Sequence, residues 1–170
     1  MSKLRNWILA HKKRTIFLSI FIYFFCSWYF NLPDLYLKTT FPLRKNTLIT
    51  LVNMMQEDDL KKPKNEYCMS IAFEHRERSD EDFEVIGITR ERQEEYLKHM
   101  ENVGALWVVG LYCSTDRIKI LMDESLGKHM YYLYSEKPFN DCNKEIFEIT
   151  EGMKAYNCIQ IEDKWYLFSY

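Results

Sequence analysis

The chain has 170 residues, enough for one domain of ordinary size and an appendage, and its 23 Lys and Arg face 25 Asp and Glu. These charges are unevenly distributed. Residues 1–33 contain five basic and no acidic side chains, whereas the rest holds eighteen basic and all 25 acidic ones, a formal charge of −7. An acidic domain argues against nucleic-acid binding, because phosphates require a surplus of Lys and Arg, and it favours a locally basic protein partner.

The first element is an uncharged run of eighteen residues, 15–32, which follows a basic segment at 1–14. As a helix it covers about 27 Å, close to the hydrocarbon thickness of a bilayer. The run is apolar on all sides, which is typical of a membrane span and not of an amphipathic surface helix. Trp7, Trp28 and Tyr29 suit the aromatic belts of the two interfaces. The sequence therefore predicts one transmembrane helix in contact with membrane lipid.

Three other interpretations of this run are weaker. A cleaved signal peptide needs small residues after the apolar core, and residues 28–32 supply none. A lipoprotein needs small residues before its cysteine, but Phe24 and Phe25 precede Cys26. A buried helix of a soluble protein fits poorly with an uncharged run that directly follows the basic cluster 11–14. An uncleaved signal-anchor helix is the interpretation we adopt.

The basic residues also predict the orientation of the chain. Five Lys and Arg precede the span, whereas three follow it within about fifteen residues, namely Lys38, Arg44 and Lys45. The N-terminus is therefore expected in the cytoplasm. Residues 33–170 contain no Asn-x-Ser/Thr glycosylation site, which favours a bacterial envelope over a eukaryotic lumen. We predict a single-pass protein of the inner (cytoplasmic) membrane with its C-terminal domain in the periplasm.

The domain beyond the span contains four cysteines: Cys68, Cys113, Cys142 and Cys158. An even number in a small exported domain predicts two disulfides, and the spacings match no zinc or redox motif. We favour Cys68–Cys113, between strands expected to be neighbours, and Cys142–Cys158, which would tie down the C-terminal hairpin. Four free thiols are the alternative if the domain is cytosolic.

A juxtamembrane linker is expected at residues 33–42, and the domain itself at 43–170. Its first helix is predicted to start at Pro42 or Asn46 and to fade near 58–59. The apolar positions that recur at helical spacing in this segment are Leu48, Leu51, Val52 and Met55.

The remaining elements predict an α+β fold, with about two helices against a mainly antiparallel sheet of six or seven strands. The second helix should cover residues 90–103, with Thr89 as its N-cap and Gly104 just past its end. Residues 162–164 should connect a terminal hairpin, and 145–155 are ambiguous between helix and strand. The expected strands are 67–74, 83–89, 105–113, 117–122, 128–134, 157–161 and 165–170.

No catalytic or metal-binding motif is present in the domain. The three histidines, His75, His99 and His129, share no metal-ligand spacing, and no nucleophile elbow or glycine-rich phosphate loop occurs. The acidic runs 57–59 and 80–82 are interpreted as solvated charge clusters. The sequence therefore predicts a protein that is not an enzyme and that uses neither a metal nor another cofactor.

Aromatic side chains suggest a binding surface. Tyr131, Tyr132 and Tyr134 lie on one predicted strand, where successive side chains point to opposite faces, so some should face solvent. Exposed Tyr beside acidic side chains suits protein binding. The alternative is that Tyr simply forms strands well and carries a polar tip that reaches water.

Together these features predict a membrane-anchored periplasmic binding or inhibitor protein. Its layout looks like that of small membrane-tethered periplasmic proteins, including immunity proteins that neutralise toxins acting in the envelope. A structural or assembly subunit of a cell-envelope complex is the second hypothesis, in which the span itself packs against partner helices. An envelope hydrolase is a third and weaker one.

Overall fold

The computed structural model describes residues 2–61, 70–72, 87–110, 115–125, 128–142 and 157–169. The chain divides into two compact units, Met1–Thr39 and Thr40–Tyr170. Within the described residues, the second unit combines helices with a six-stranded antiparallel sheet. The predicted α+β class is therefore confirmed.

Helix α1 spans Ser2–Lys61, so residues 33–42 are helical. The helix thus does not begin at Pro42 or Asn46, and that prediction is corrected, whereas the linker expected at 33–42 stays a prediction. Proline fixes φ near the helical value. Its cost in a helix is the loss of one backbone hydrogen bond and the contact of its ring with the preceding turn. Burial on either side of Pro42 offsets that cost, since Phe41 and Leu48 are 3% and 0% exposed.

The first unit exposes a set of large apolar side chains on α1. All side chains of residues 16–25 are exposed, with Phe17 at 74% and Tyr23 at 71%. In the part of the chain that the structure describes, no helix combines the length and apolarity needed to cross a membrane. The span expected at 15–32 therefore stays a prediction.

Helix α2 spans Arg90–Val103, as the capping residues predict. The hydroxyl oxygen of Thr89 accepts a 3.2 Å hydrogen bond from the backbone N–H of Arg92. At the other end Gly104 adopts the left-handed conformation, with φ of 70°, and its N–H donates to the Glu101 carbonyl. The buried side of the helix consists of Gln93, Tyr96, Leu97, Met100 and Val103.

The sheet has the strand order β1-β2-β3-β4-β6-β5, and every neighbouring pair is antiparallel. Its strands are β1 (Ser70–Ala72), β2 (Trp107–Gly110), β3 (Arg117–Ser125), β4 (Lys128–Ser135), β5 (Asn157–Glu162) and β6 (Trp165–Ser169). The terminal hairpin closes through two residues, because Glu162 already pairs with Trp165. Lys164 in this turn adopts a positive φ of 62°. The predictions for residues 73–86 and 145–155 lie outside the described residues.

Both faces of the sheet are covered. On the helix face, Phe41 of α1 packs its ring 5.4 Å from Tyr132 and 5.5 Å from Trp165. Nearby, Lys45 of α1 pairs with Glu162 of β5. The opposite face, which we call the second face, carries a buried apolar cluster of Leu121, Tyr131, Leu133, Tyr166 and Phe168. The partly buried side chains packed against this cluster are Trp107, Phe139, Cys142 and Cys158.

Candidate functional site

The tyrosines expected at a binding surface do not lie together in solvent. Tyr131 is 3% exposed and stacks on Phe168 with ring centroids 4.8 Å apart, whereas Tyr132 is fully buried against Phe41. The expectation that these two side chains face solvent is therefore wrong, and their role in partner binding stays a prediction. One face of β4 is covered by α1 through Phe41, and on the other Tyr131 belongs to the apolar cluster against which Phe139 packs. The strand-forming tendency of Tyr explains their presence.

Tyr134 is partly exposed and belongs to a polar group that we call the Tyr134 cluster, formed with Gln56, Glu136 and Lys164. The Tyr134 hydroxyl donates a hydrogen bond to Glu136, whose other oxygen accepts one from Lys164 Nζ at 2.8 Å. Gln56 of α1 donates to Glu136 and to the carbonyl of Thr115, both at 3.4 Å. The cluster therefore joins α1 to the end of β4 and to the terminal turn.

The charges of the Tyr134 cluster are fixed near neutral pH. The hydrogen bond from Lys164 holds the pKa of Glu136 below its ordinary value of 4.5, and the Tyr134 hydroxyl lowers it further. Burial and the bond to Glu136 raise the pKa of Tyr134, and Glu136 raises the pKa of Lys164. None of these shifts brings a group toward neutrality, where a general acid or base works best.

A second polar group, which we call the Arg92 network, joins α1 to α2. Asp58, whose side chain is 4% exposed, accepts hydrogen bonds of 2.8 Å from Tyr96 and from Arg92 Nε. The other guanidinium nitrogens of Arg92 contact Glu95 at 2.7 Å and Glu57 at 3.1 Å. Burial, followed by the Asp58 charge, raises the pKa of Tyr96. The network therefore stabilises the packing of α2 on α1.

The outward side of α2 is acidic. Glu57 and Glu95 are 63% and 50% exposed even though they contact Arg92. The surface formed by exposed carboxylates of α2 and the end of α1, which we call the acidic surface, consists of Glu57, Glu91, Glu94, Glu95 and Glu101. Backbone and Thr89 hydrogen bonds at the helix N-terminus lower the pKa of Glu91, so it is ionised. Its five carboxylates outnumber the neighbouring Arg90, Arg92 and Lys98, so the surface carries a small net negative charge.

A buried cation on the second face was not anticipated from the sequence. Lys119 Nζ lies 5.1 Å from the ring centroid of Trp107 and 4.6 Å from that of Tyr131. Ring faces compensate in part for the lost hydration of the ammonium, and burial lowers the pKa of Lys119. In the sequence, the signal for this site is a charged residue, Lys119, at a position of β3 whose side chain points inward. His129 stacks near Tyr131 at 6.4 Å.

One predicted cysteine pair lies within the described residues. Cys142 and Cys158 are placed at disulfide distance, with Cα atoms 5.9 Å apart, inside the usual range for a bridge. Cys68 and Cys113, like His75, lie outside the described residues. In the part of the chain that is described, no group of three or more His, Cys, Asp and Glu side chains is arranged to hold a metal ion.

Comparison with known proteins assigns no family. No protein-family model matches the chain, and neither the curated proteins nor the solved structures contain a significant match.

Proposed function

We propose that this chain is a membrane-anchored binding protein of the bacterial periplasm, in which a tether holds an acidic domain close to a locally basic protein partner. Neutralisation of a toxin that acts in the envelope is the sharpest form of this proposal. The observation that carries it is the row of exposed apolar side chains on α1.

Residues 16–25 support the tether. Nine large apolar side chains in this run are between 49% and 74% exposed. A surface of this kind is costly in water and marks a site for lipid or protein. Ten helical residues cover about 15 Å, half of a hydrocarbon core, and the uncharged sequence extends the run to 15–32. Lipid is the favoured occupant because the run follows a basic segment and is apolar on all sides.

The acidic surface supports the binding role. Four of its five carboxylates stand on α2, a helix whose buried side is fixed by the Arg92 network, so these charges are held on a stable element. Fixed negative charge steers a basic partner toward the domain and raises the rate of encounter. Gln56, Glu136 and Lys164 add polar groups that suit the rim of an interface.

The experiment that tests this function is a paired pull-down from envelope extract. One bait is the full-length chain in detergent, and the other lacks residues 15–32. Recovery of one basic protein with both baits supports the binding function, because the anchor then supplies only location. Recovery of integral membrane proteins with the full-length bait alone would favour the assembly subunit of an envelope complex.

A further inference from the structure

The second face of the sheet is covered by a short segment that follows β4. Residues 136–142, which we call the strap, begin where the Ser135 hydroxyl donates a 2.6 Å hydrogen bond to the carbonyl of Lys137. The backbone N–H of Phe139 then donates to the Tyr166 hydroxyl at 3.1 Å, and the two rings meet edge to face at 4.8 Å. Arg117 lies 4.8 Å from the centroid of the Phe139 ring.

The end of the strap is attached differently. Cys142 is its last described residue, and it pairs with Cys158 of the edge strand β5. Both cysteines are partly buried against the apolar cluster of the second face. The strap therefore has noncovalent contacts at its start, through Glu136, and at its middle, around Phe139, and a cysteine pair at its end. Partial exposure leaves that pair within reach of a thiol reagent.

We propose that Cys142 and Cys158 form a redox latch, which closes the strap over the second face when oxidised and lets it open when a dithiol reductant acts on it. The inference does not depend on the membrane anchor or on the partner.

The chemistry of the latch is thiol–disulfide exchange. A thiolate of the reductant attacks one sulfur of the pair, which forms a mixed disulfide and releases the other cysteine as a thiolate. The second thiolate of the reductant then displaces the remaining cysteine. Two electrons pass to the pair, Cys142 and Cys158 each take up a proton, and the reductant leaves as its own disulfide.

Opening changes the surface of the domain. In the reduced state only noncovalent contacts hold the strap, among them those of Glu136 and Phe139, so it separates more often from the sheet. Its separation exposes Tyr166 and the cluster around it, including Leu133 and Phe168, which are 0% and 1% exposed when the strap is closed. An apolar surface of this kind becomes accessible only on reduction.

Hydrogen exchange of the full-length protein in detergent tests the latch. The variant used has Cys26, Cys68 and Cys113 replaced by Ser, so that only the pair reacts, and dithiothreitol is the reductant. Reduction should speed hydrogen exchange in the strap on the order of 100-fold. This is the factor implied by the loop-closure entropy of a disulfide between two cysteines 16 residues apart. Exchange in α2 should not change. Unchanged exchange in the strap, or alkylation of both cysteines before reduction, would overturn the proposal.

Two further variants keep the test decisive if the triple substitution impairs folding. In the otherwise native chain, Cys142→Ala with Cys158→Ala should reproduce the fast exchange of the strap without reductant. Phe139→Ala should leave the pair oxidised but increase its rate of reduction, roughly tenfold, because the strap opens around it more often. A reduction rate equal to that of the native chain would contradict the closed strap.

Discussion

The hydroxyl of Tyr96 donates a 2.8 Å hydrogen bond to the carboxylate of Asp58, and both residues are almost completely buried. Arg92 supplies the positive charge that a buried carboxylate requires. One helix thus provides the acceptor and the other both donors. Removal of a single member leaves a desolvated group short of one hydrogen bond, which costs more than the hydrogen bond itself contributes.

Replacement of Tyr96 with Phe should therefore destabilise the second unit by about 1–3 kcal/mol, the usual cost of leaving a buried acceptor short of one bond. Urea unfolding of the full-length protein in detergent measures the change. The double-mutant cycle with Asp58→Asn is the control, since the two losses should not add if they belong to one network. Additive losses would show that the two side chains act independently.

The buried Asp58 also shows where the sequence misleads. Its run of three acidic residues predicts a solvated cluster, because no local signal indicates that Arg92, 34 residues later, binds Asp58. In contrast, the caps and apolar stripe of α2 are local signals, and its bounds were predicted correctly. The burial of Tyr131 and Tyr132 escapes prediction for the same reason, since Phe168 and Phe41, on which they pack, are distant in sequence.

Substitution of Phe41 tests the packing of α1 on the sheet. Its ring lies between Tyr132 and Trp165 and is 3% exposed, so Phe41→Ala should lower the free energy of unfolding by about 3–5 kcal/mol. Leu43→Ala is the matched control, since Leu43 is 86% exposed two residues later and should change stability by less than about 0.5 kcal/mol. Thermal unfolding compares the two variants. Equal effects would contradict this packing.

The Tyr134 cluster predicts a contribution to acid sensitivity. The hydrogen bond from Lys164 lowers the pKa of Glu136 in the folded state below its ordinary value of 4.5. A depressed carboxyl pKa stabilises the fold above the unfolded value, and this stabilisation is lost as the pH falls through the folded value. Glu136→Gln should therefore flatten the dependence of stability on pH below about pH 4.5.

The control for this measurement is Glu94→Gln, which removes one exposed carboxylate on α2. Urea unfolding at a series of pH values should show a flatter acid limb for the Glu136 variant than for the Glu94 variant. Identical acid limbs in the two variants would mean that the hydrogen bonds of Glu136 are not retained in solution.

The orientation of the chain can be read with two reporters fused after Tyr170. Because the basic segment at 1–14 should remain in the cytoplasm, a phosphatase that works only outside the cytoplasm should be active. A cytoplasmic reporter at the same site should be silent. Exchange of the five basic residues of that segment for Gln is the variant that should weaken this preference. A silent phosphatase beside an active cytoplasmic reporter would refute the periplasmic location.

The acidic surface predicts how the partner associates. The reversals Glu94→Lys and Glu101→Lys avoid the carboxylates that contact Arg92, so they change the surface charge without disturbing the network. With the partner purified from the pull-down, they should together slow association severalfold, and added salt should reduce the difference by screening. Dissociation should change less, because exposed charges act mainly on encounter.

Lys98→Glu is the matched control with the opposite sign. Lys98 is exposed on the same side of α2 as Glu94 and Glu101, and its reversal adds negative charge without touching the buried side of the helix. It should therefore speed association with a basic partner, and salt should reduce this gain as well. Stopped-flow measurements of the association rate at several salt concentrations compare the two types of reversal. If both types of reversal slow association equally, the surface acts through shape and not through charge, and a locally basic partner is the wrong inference.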